Sequence, residues 1–409
     1  MLKFKRYLWV AALAATGPVA AANTAPDVGD FADVVRNGSV ELNLRYRLEH
    51  VDQDGMPESA LASTLRSRIS LATAPLAGFA LELELDDVTA LGNDRYNSTV
   101  NGHGRYPVVA DPEGTEVNRA QLDYRRGGLH ATAGRQRILH ANQRFVGNVG
   151  WRQNEQTYDG LRWQWQGGST TLDGSYVYRV QRVFGPDDGA QSADWDGEIA
   201  LLRTTWSPLP KHTLAAFAYH LDIDPSRDFS SALTVANASE TVGLEYSGEW
   251  QALSVTASWA SQGDIGDNPG NYRAQYHNLE ATLALSALRL QAGHEVLGAD
   301  NGSGFRTPLA TLHKFQGWAD MFLVTPGEGL RDSWLGLAGE RGSLNWATAY
   351  HDFRSDERSR DLGRELDLLL GWKVSPHLSL QFKLALFDAA SGSGYRDTDK
   401  AWLIAELRL

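Results

Sequence analysis

The stretch SVELNLRYRLEH, residues 39–50, sets Val40, Leu42, Leu44, Tyr46 and Leu48 on one side of an extended chain and Glu41, Asn43, Arg45, Arg47 and Glu49 on the other. Successive strand side chains point to opposite faces, so this is period two held over about ten residues. FALELELDD at 79–87 repeats it, with Phe79, Leu81, Leu83 and Leu85 against Glu82, Glu84 and Asp86. Near the other end, LSLQFKLALF at 378–387 opposes Leu378, Leu380, Phe382, Leu384 and Leu386 to Ser379, Gln381 and Lys383. A tilted strand needs about 9–11 residues to cross a bilayer, and each of these stretches is about that long.

Read this way, the chain predicts strands near 39–49, 64–74, 79–87, 117–126, 128–136, 157–166, 169–180, 197–206, 212–222, 240–249, 251–262, 273–285, 287–296, 330–339, 342–352, 363–374, 377–388 and 400–409. The count is about eighteen, an even number as bacterial outer-membrane barrels have. Short joints such as APLAG, Gly167-Gly168, SPLPK, Trp250, Ser286 and Ser375-Pro376 alternate with long connections near 50–63, 88–116, 137–156, 181–196, 223–239, 263–272, 297–329, 353–362 and 389–399. Such barrels have short periplasmic turns and longer outside loops, so a periplasmic N-terminus puts every long connection outside. The expected fold is an all-β, transmembrane, antiparallel up-and-down barrel.

Mean hydropathy of −0.35 does not oppose a membrane location, because a barrel's alternate residues face a polar lumen. Lys3, Lys5 and Arg6 precede an apolar run from Tyr7 to about Thr16 and a small-residue site at Ala20-Ala21-Ala22, the layout of a secretory signal peptide. The expected organisation is a signal peptide at 1–22, a short periplasmic segment at 23–38, and the barrel at 39–409. Cysteine is absent, which excludes disulfides and thiol chemistry. Net charge falls from −12 to about −15 once the three basic leader residues are removed, the wrong sign for nucleic acid.

Trp163, Trp165, Trp206, Trp250, Trp346 and Trp372 fall near the short-joint ends of strands, and Tyr46, Tyr178, Tyr219, Trp259 and Tyr350 near the other ends. Two aromatic belts at the membrane interfaces account for that sorting. The last strand, AWLIAELRL, puts Ala401, Leu403, Ala405, Leu407 and Leu409 on the lipid face and pairs with the first strand to close the sheet. The final residue is leucine where such barrels usually end in an aromatic.

Inward positions in the first third include Arg45, Arg47, Arg66, Arg68, Arg119, Arg125 and Arg162. Guanidinium groups stay charged and grip carboxylates in a forked geometry, so a ladder of them favours acidic or hydroxyl-rich solutes. Inward acids oppose it: Glu41, Glu82, Glu84, Asp86, Asp123, Glu245, Glu280, Glu365 and Asp367. Cross-strand pairing of these charges, serving only the wall, fits the pattern equally. His351-Asp352 and His220 with Asp222, the latter pair read as inward, come with no nucleophile elbow or zinc motif, so no enzyme activity is expected. DWDGE at 194–198 lacks most ligands of a calcium loop, and neither a metal nor another cofactor is expected.

The window GRQRILHANQRFVGNVGWRQNEQTYDG (134–160), the opening segment and GLRD (329–332) together resemble the alginate-export family of outer-membrane β-barrel porins. The resemblance implies an eighteen-stranded barrel in the outer membrane that conducts small or polymeric anionic solutes. By motif match it implies a solute-guiding role for Arg135, Arg144 and Arg152. Expected partners are outer-membrane lipid and lipopolysaccharide, small anionic or saccharide solutes, and the barrel-assembly machinery during insertion.

One segment departs from the alternation. TPLATLHKFQGWADMFLVTP (307–326) lies in a connection far longer than a turn requires, and such connections are functional or disordered. Its apolar content disfavours disorder, and unpaired backbone excludes the lipid face. The expectation is a constriction folded into the barrel mouth, with Trp318 among its apolar residues and Arg306, His313, Lys314 and Asp320 turned to the water path. The sequence supports a channel first, with an outer-membrane enzyme and a plugged structural or adhesive barrel as alternatives.

Overall fold

The computed structural model describes residues 29–225 and 234–409. The signal peptide read at 1–22, and the start of the 23–38 segment, lie outside the described residues. Helix α1 (Phe31–Arg36) is capped by Asp30, whose side chain accepts from the Asp33 amide at 3.0 Å. The chain then runs through β1 (Ser39–Gln53), β2 (Ala60–Ala72), β3 (Phe79–Arg95), β4 (Gly114–Arg126), β5 (Leu129–Gln136), β6 (Thr157–Gly167), β7 (Thr170–Gln181), β8 (Asp194–Leu209) and β9 (His212–Ile223). It continues through β10 (Ser239–Trp250), β11 (Leu253–Asp264), β12 (Arg273–Leu285) and β13 (Leu288–Leu297). A two-residue hairpin, β14 (Ala299–Asp300) with β15 (Ser303–Gly304), precedes β16 (Leu330–Arg341), β17 (Leu344–Arg354), β18 (Asp361–Lys373), β19 (Leu378–Ala389) and β20 (Thr398–Arg408).

Eighteen of these strands form one antiparallel sheet, each paired with its sequence neighbours, and β1 also pairs β20 from Asn43↔Arg408 to Gln53↔Thr398. The sheet is therefore closed and has no free edge. Every expected strand is present. Several run further than expected at the long-connection end, as β3 does to Arg95. There the outward residues turn polar, as at Asp87 and Thr89, so hydrophobic alternation stops while backbone pairing continues. At the opposite end the Gly127-Gly128 joint needs both glycines: Gly127 has φ +56°, and a Cβ on Gly128 would lie 2.3 Å from the Gln166 carbonyl oxygen.

The outward face is apolar, and Leu81, Leu161, Leu244 and Leu279 are each more than half exposed. Water would disfavour such a band, and hydrocarbon accommodates it. Trp163, Trp165, Trp206, Trp250 and Trp372 stand exposed on that face near the short joints. Tyr219 departs from the expected belt. Phe217, Tyr219, Leu221 and Ile223 of β9 are buried inside the barrel, so His220 and Asp222 face outward, and His220 pairs with Glu240 at 3.0 Å.

Much of the interior is packed. Val177, Ile199, Leu201, Phe217 and Tyr276 from the wall meet Ile138, Val146, Trp151, Phe305, Leu309 and Phe322 from the two long connections at 137–156 and 298–329 in one buried cluster. Each fully buried apolar side chain of this kind contributes about 1.5–3 kcal/mol. That gain holds both connections inside the barrel.

Candidate pore constriction

The two connections meet along a short parallel bridge between Val146 and Leu309, where the Gly147 amide donates to the Leu309 carbonyl at 2.8 Å. Thr311 extends the joint, donating to Gln143 Oε1 at 2.6 Å and accepting from the Val149 amide at 3.0 Å. Lys314 Nζ donates to the Asn142 carbonyl at 2.9 Å, and Tyr158 OH on β6 donates to the Gly147 carbonyl at 2.7 Å. Backbone without a ladder is thus given partners inside the barrel, as buried polar groups require.

Arg45, Arg47 and Arg68 of the expected arginine ladder hold this joint to the wall, and the others pair within the wall or lie apart. Arg45 donates to the Gly150 carbonyl at 2.9 Å, to Gln153 Oε1 at 3.0 Å and to the Arg152 carbonyl. Arg47 donates to the Trp151 carbonyl at 2.7 Å while its guanidinium lies 4.0 Å from the centre of that indole. Arg68 bridges Asp86 and Glu155, and Arg119 pairs with Glu82 and Glu84. Arg144 reaches Glu295 at 2.6 Å, and Arg152 reaches Glu49 at 3.1 Å and Asp320 at 3.5 Å. Arg162 forks onto Asp173, and Arg66 bonds Asn43. Arg125 lies apart near the short-joint end and makes no ion pair among the described residues.

Arg135 falls elsewhere. It sits between inward Gly134 and Gln136 on β5, so its side chain takes the outward face, where it pairs with Asp159 at 2.8 Å. Strand parity decides its side, and the motif that singled it out carries no parity.

In the segment 307–326, His313 and Asp320 are buried rather than turned to a water path. His313 stacks on Trp151 with ring centres 4.0 Å apart and planes 7° apart. One ring nitrogen lies 2.8 Å from Asp320 Oδ1 and the other 2.7 Å from Lys383 Nζ. A carboxylate only accepts and an ammonium only donates, so His313 is neutral with its proton on Nδ1. Burial holds its pKa well below the ordinary imidazole value against the opposing pull of Asp320. Asp320 also meets Lys400 at 3.0 Å. His313 and Asp320 are buried because each has polar partners inside the barrel, which nothing in the segment's own sequence announces.

Arg306, Lys314 and Trp318 are half-buried, and neither Arg306 nor Lys314 has an ion-pair partner among the described residues. A cavity beside the joint is lined by Arg144, Arg306, Thr307, Leu312, Gln316 and Leu323. On the short-joint side, the inward positions Thr256, Ser258, Glu280, Thr282 and Gln291 of β11–β13 are half-buried and mostly small and polar. Sequence reasoning missed Lys383, Lys400 and Glu295 as partners. Alternation marks all three as inward, but carries no signal for which connection arrives opposite them.

The alginate export family model matches residues 38–311, about two thirds of the chain. Among solved structures, the chain is similar to OpdO of Pseudomonas aeruginosa (14% identity, TM-score 0.68, 92% of this chain and 98% of that one). It is also similar to OccK9 (OpdG) of the same organism (15%, 0.70, 92% and 100%) and to OccAB2 of Acinetobacter baumannii (14%, 0.69, 92% and 99%). At these identities the likeness is one of fold. Among curated proteins none matches.

Proposed function

The chain belongs to the alginate export family and is an outer-membrane, porin-like barrel, and from that premise we propose that it passes anionic, hydroxyl-rich solutes, uronate-containing saccharides among them. The observation that carries this reading is the division of labour among the cations. Arg47, Arg68, Arg119, Arg144, Arg152 and Arg162 are taken up by carboxylates, whereas Arg306 and Lys314 stand half-buried without an ion pair beside the joint. A cation with spare charge in a narrow, low-dielectric passage attracts carboxylates more strongly than it would in bulk water. The segment 307–326, joined to 137–156, is the constriction in this reading.

The tightly packed cluster around the joint favours a second reading, a barrel plugged by its own connections. Single-channel recording in planar bilayers separates the two. Deleting Leu309 to Leu323 with a short Gly/Ser join should leave a folded barrel with higher conductance and weaker selectivity. Unchanged conductance would place the segment outside the pore.

A further inference from the structure

Lys383 projects inward from β19 and is almost completely buried, yet no carboxylate lies within ion-pair distance of its ammonium among the described residues. What surrounds it instead is aromatic. Nζ lies 3.9 Å from the ring centre of Trp151, 3.9 Å from that of Trp318 and 5.3 Å from that of Trp402, and it donates to His313 at 2.7 Å. Trp151 belongs to the connection at 137–156, and His313 and Trp318 belong to the one at 298–329. Trp402, on β20, is part of the wall and stands edge-on to Trp151 at 5.6 Å. A single wall residue is therefore held by both inward connections together.

The chemistry makes this contact conditional. An ammonium taken out of water needs either a counter-charge or the negative faces of aromatic rings, and the attraction to those faces grows when water is absent. Lys400, two strand positions from Trp402, takes the first solution by pairing with Asp320. Lys383 has no ion pair among the described residues, with Asp367 and Asp320 acting on it only from further away, so the indole faces close around it, and two of the three arrive only when both connections are seated. If the 137–156 connection leaves, Trp151 goes with it, and if the other leaves, Trp318 and His313 go; either way the buried cation loses part of its compensation and water must enter. His313 adds to this, because withdrawal of its segment also takes from the buried ammonium the nitrogen to which it donates.

We propose that Lys383 is the positioning residue of the constriction: it couples the two inward connections so that they seat and release as one unit, and so sets how often the passage widens. This rests on the reading of segment 307–326 as the constriction. It goes beyond that reading by assigning control to a wall residue that touches no solute, and by making both connections move together.

The test uses the mature full-length chain in planar bilayers. Lys383→Met keeps the length of the side chain and removes the charge, and it should give several-fold more frequent transitions to larger conductance steps while the barrel still resists SDS at room temperature. Trp318→Leu, altering one connection only, should reproduce that behaviour, and the double variant should go no further than either single one. Additive effects from the two would overturn the coupling. Rescue separates the ammonium from packing alone. The chain has no cysteine, so K383C, unfolded in urea, can be alkylated at that one thiolate with 2-bromoethylamine. Sulfur displaces bromide, and the product carries an ammonium on a side chain with sulfur in place of one methylene. After refolding, the aminoethylated protein should gate as wild type, whereas protein capped with neutral iodoacetamide should gate as Lys383→Met. Equal behaviour of the two alkylated forms would sink the proposal, and this comparison stands even if Lys383→Met fails to fold. If removal of 309–323 raises conductance while Lys383→Met leaves it unchanged, the constriction survives and the control by Lys383 does not. If neither changes anything, the constriction reading itself fails.

Discussion

Arg45 and Arg66 are direct cross-strand partners on β1 and β2, both inward and both buried, and among the described residues neither guanidinium pairs with a carboxylate. Their roles still differ. Arg45 is bonded to three oxygens of the 137–156 connection, whereas the one hydrogen bond of Arg66 goes to Asn43. Arg45→Met should therefore weaken the folded barrel by at least ~2 kcal/mol, since buried carbonyls lose their donors. Arg66→Met should leave it as stable or more so, by as much as about 1–4 kcal/mol, because an uncompensated buried charge is replaced by a packed apolar chain. Urea unfolding of the two refolded variants checks the contrast, and equal losses would contradict it.

Glu295 on β13 holds three partners at once: Arg144 at 2.6 Å, the Tyr276 hydroxyl at 2.6 Å and Gln316. Arg144→Met strands a buried carboxylate and should cost about 3–5 kcal/mol. The double variant R144M/E295M should recover most of that loss. Failure to recover would mean that the arginine acts mainly by packing against Phe315, 4.8 Å from its guanidinium.

Lys314 predicts a pH dependence. Burial lowers its pKa to about 8, with Glu280 pulling partly the other way; the Phe315 ring and the Asn142 carbonyl complete its surroundings. A lysine is charged below its pKa and neutral above it. Anion preference, read as reversal potential in a salt gradient, should therefore fall as pH rises through about 8. In Lys314→Gln the potential should not respond over that range. A wild type that fails to respond between neutral and mildly alkaline pH would remove Lys314 from the conducting path.

Orientation can be read on whole cells. Gly102 lies in the connection at 96–113 with open space around it, whereas a Cβ on Gly189 would lie 2.3 Å from the Thr99 carbonyl oxygen. An epitope inserted at Gly102 should bind antibody on intact cells, and one between Ser375 and Pro376 should bind only after the outer membrane is opened. The reverse pattern would turn the barrel over.

How far alternation can be trusted follows from what each face meets. On β1, and over 79–86 of β3 and 378–384 of β19, the outward residues touch lipid and the inward ones are polar or charged, so hydrophobicity alone assigns both faces; on β20 it does not, since Trp402 and Ile404 are buried inward on either side of outward Leu403. On β9 it fails, because Phe217, Tyr219 and Leu221 turn inward to pack against the connections. There an apolar residue no longer marks the lipid side, which is why Tyr219 reads as a belt residue and His220 as a luminal one. Bulges add a second source of error. The register shifts between Glu84 and Leu85 against β4 and brings Asn118 and Arg119, adjacent in sequence, both into the interior. The candidate site was legible as a segment, since 307–326 breaks the pattern, but its chemistry was not. Period two gives a residue's face without its height in the barrel, so the meeting of Lys383 with Trp151, or of Lys400 with Asp320, depends on closure that no local window contains.

The Trp151 indole touches Arg47 on β1 and Lys383 on β19, and it stands against Trp402 on β20. These strands lie at opposite ends of the chain and become neighbours only at the seam. Most other strand pairings join immediate sequence neighbours and can form one hairpin at a time, at a small cost in chain entropy. Seam closure is the long-range step, and the connection at 137–156 carries groups that bind both sides of it. The inward connection at 137–156 thus braces the seam from within, adding contacts to both of its sides beyond the backbone ladder that joins β1 to β20.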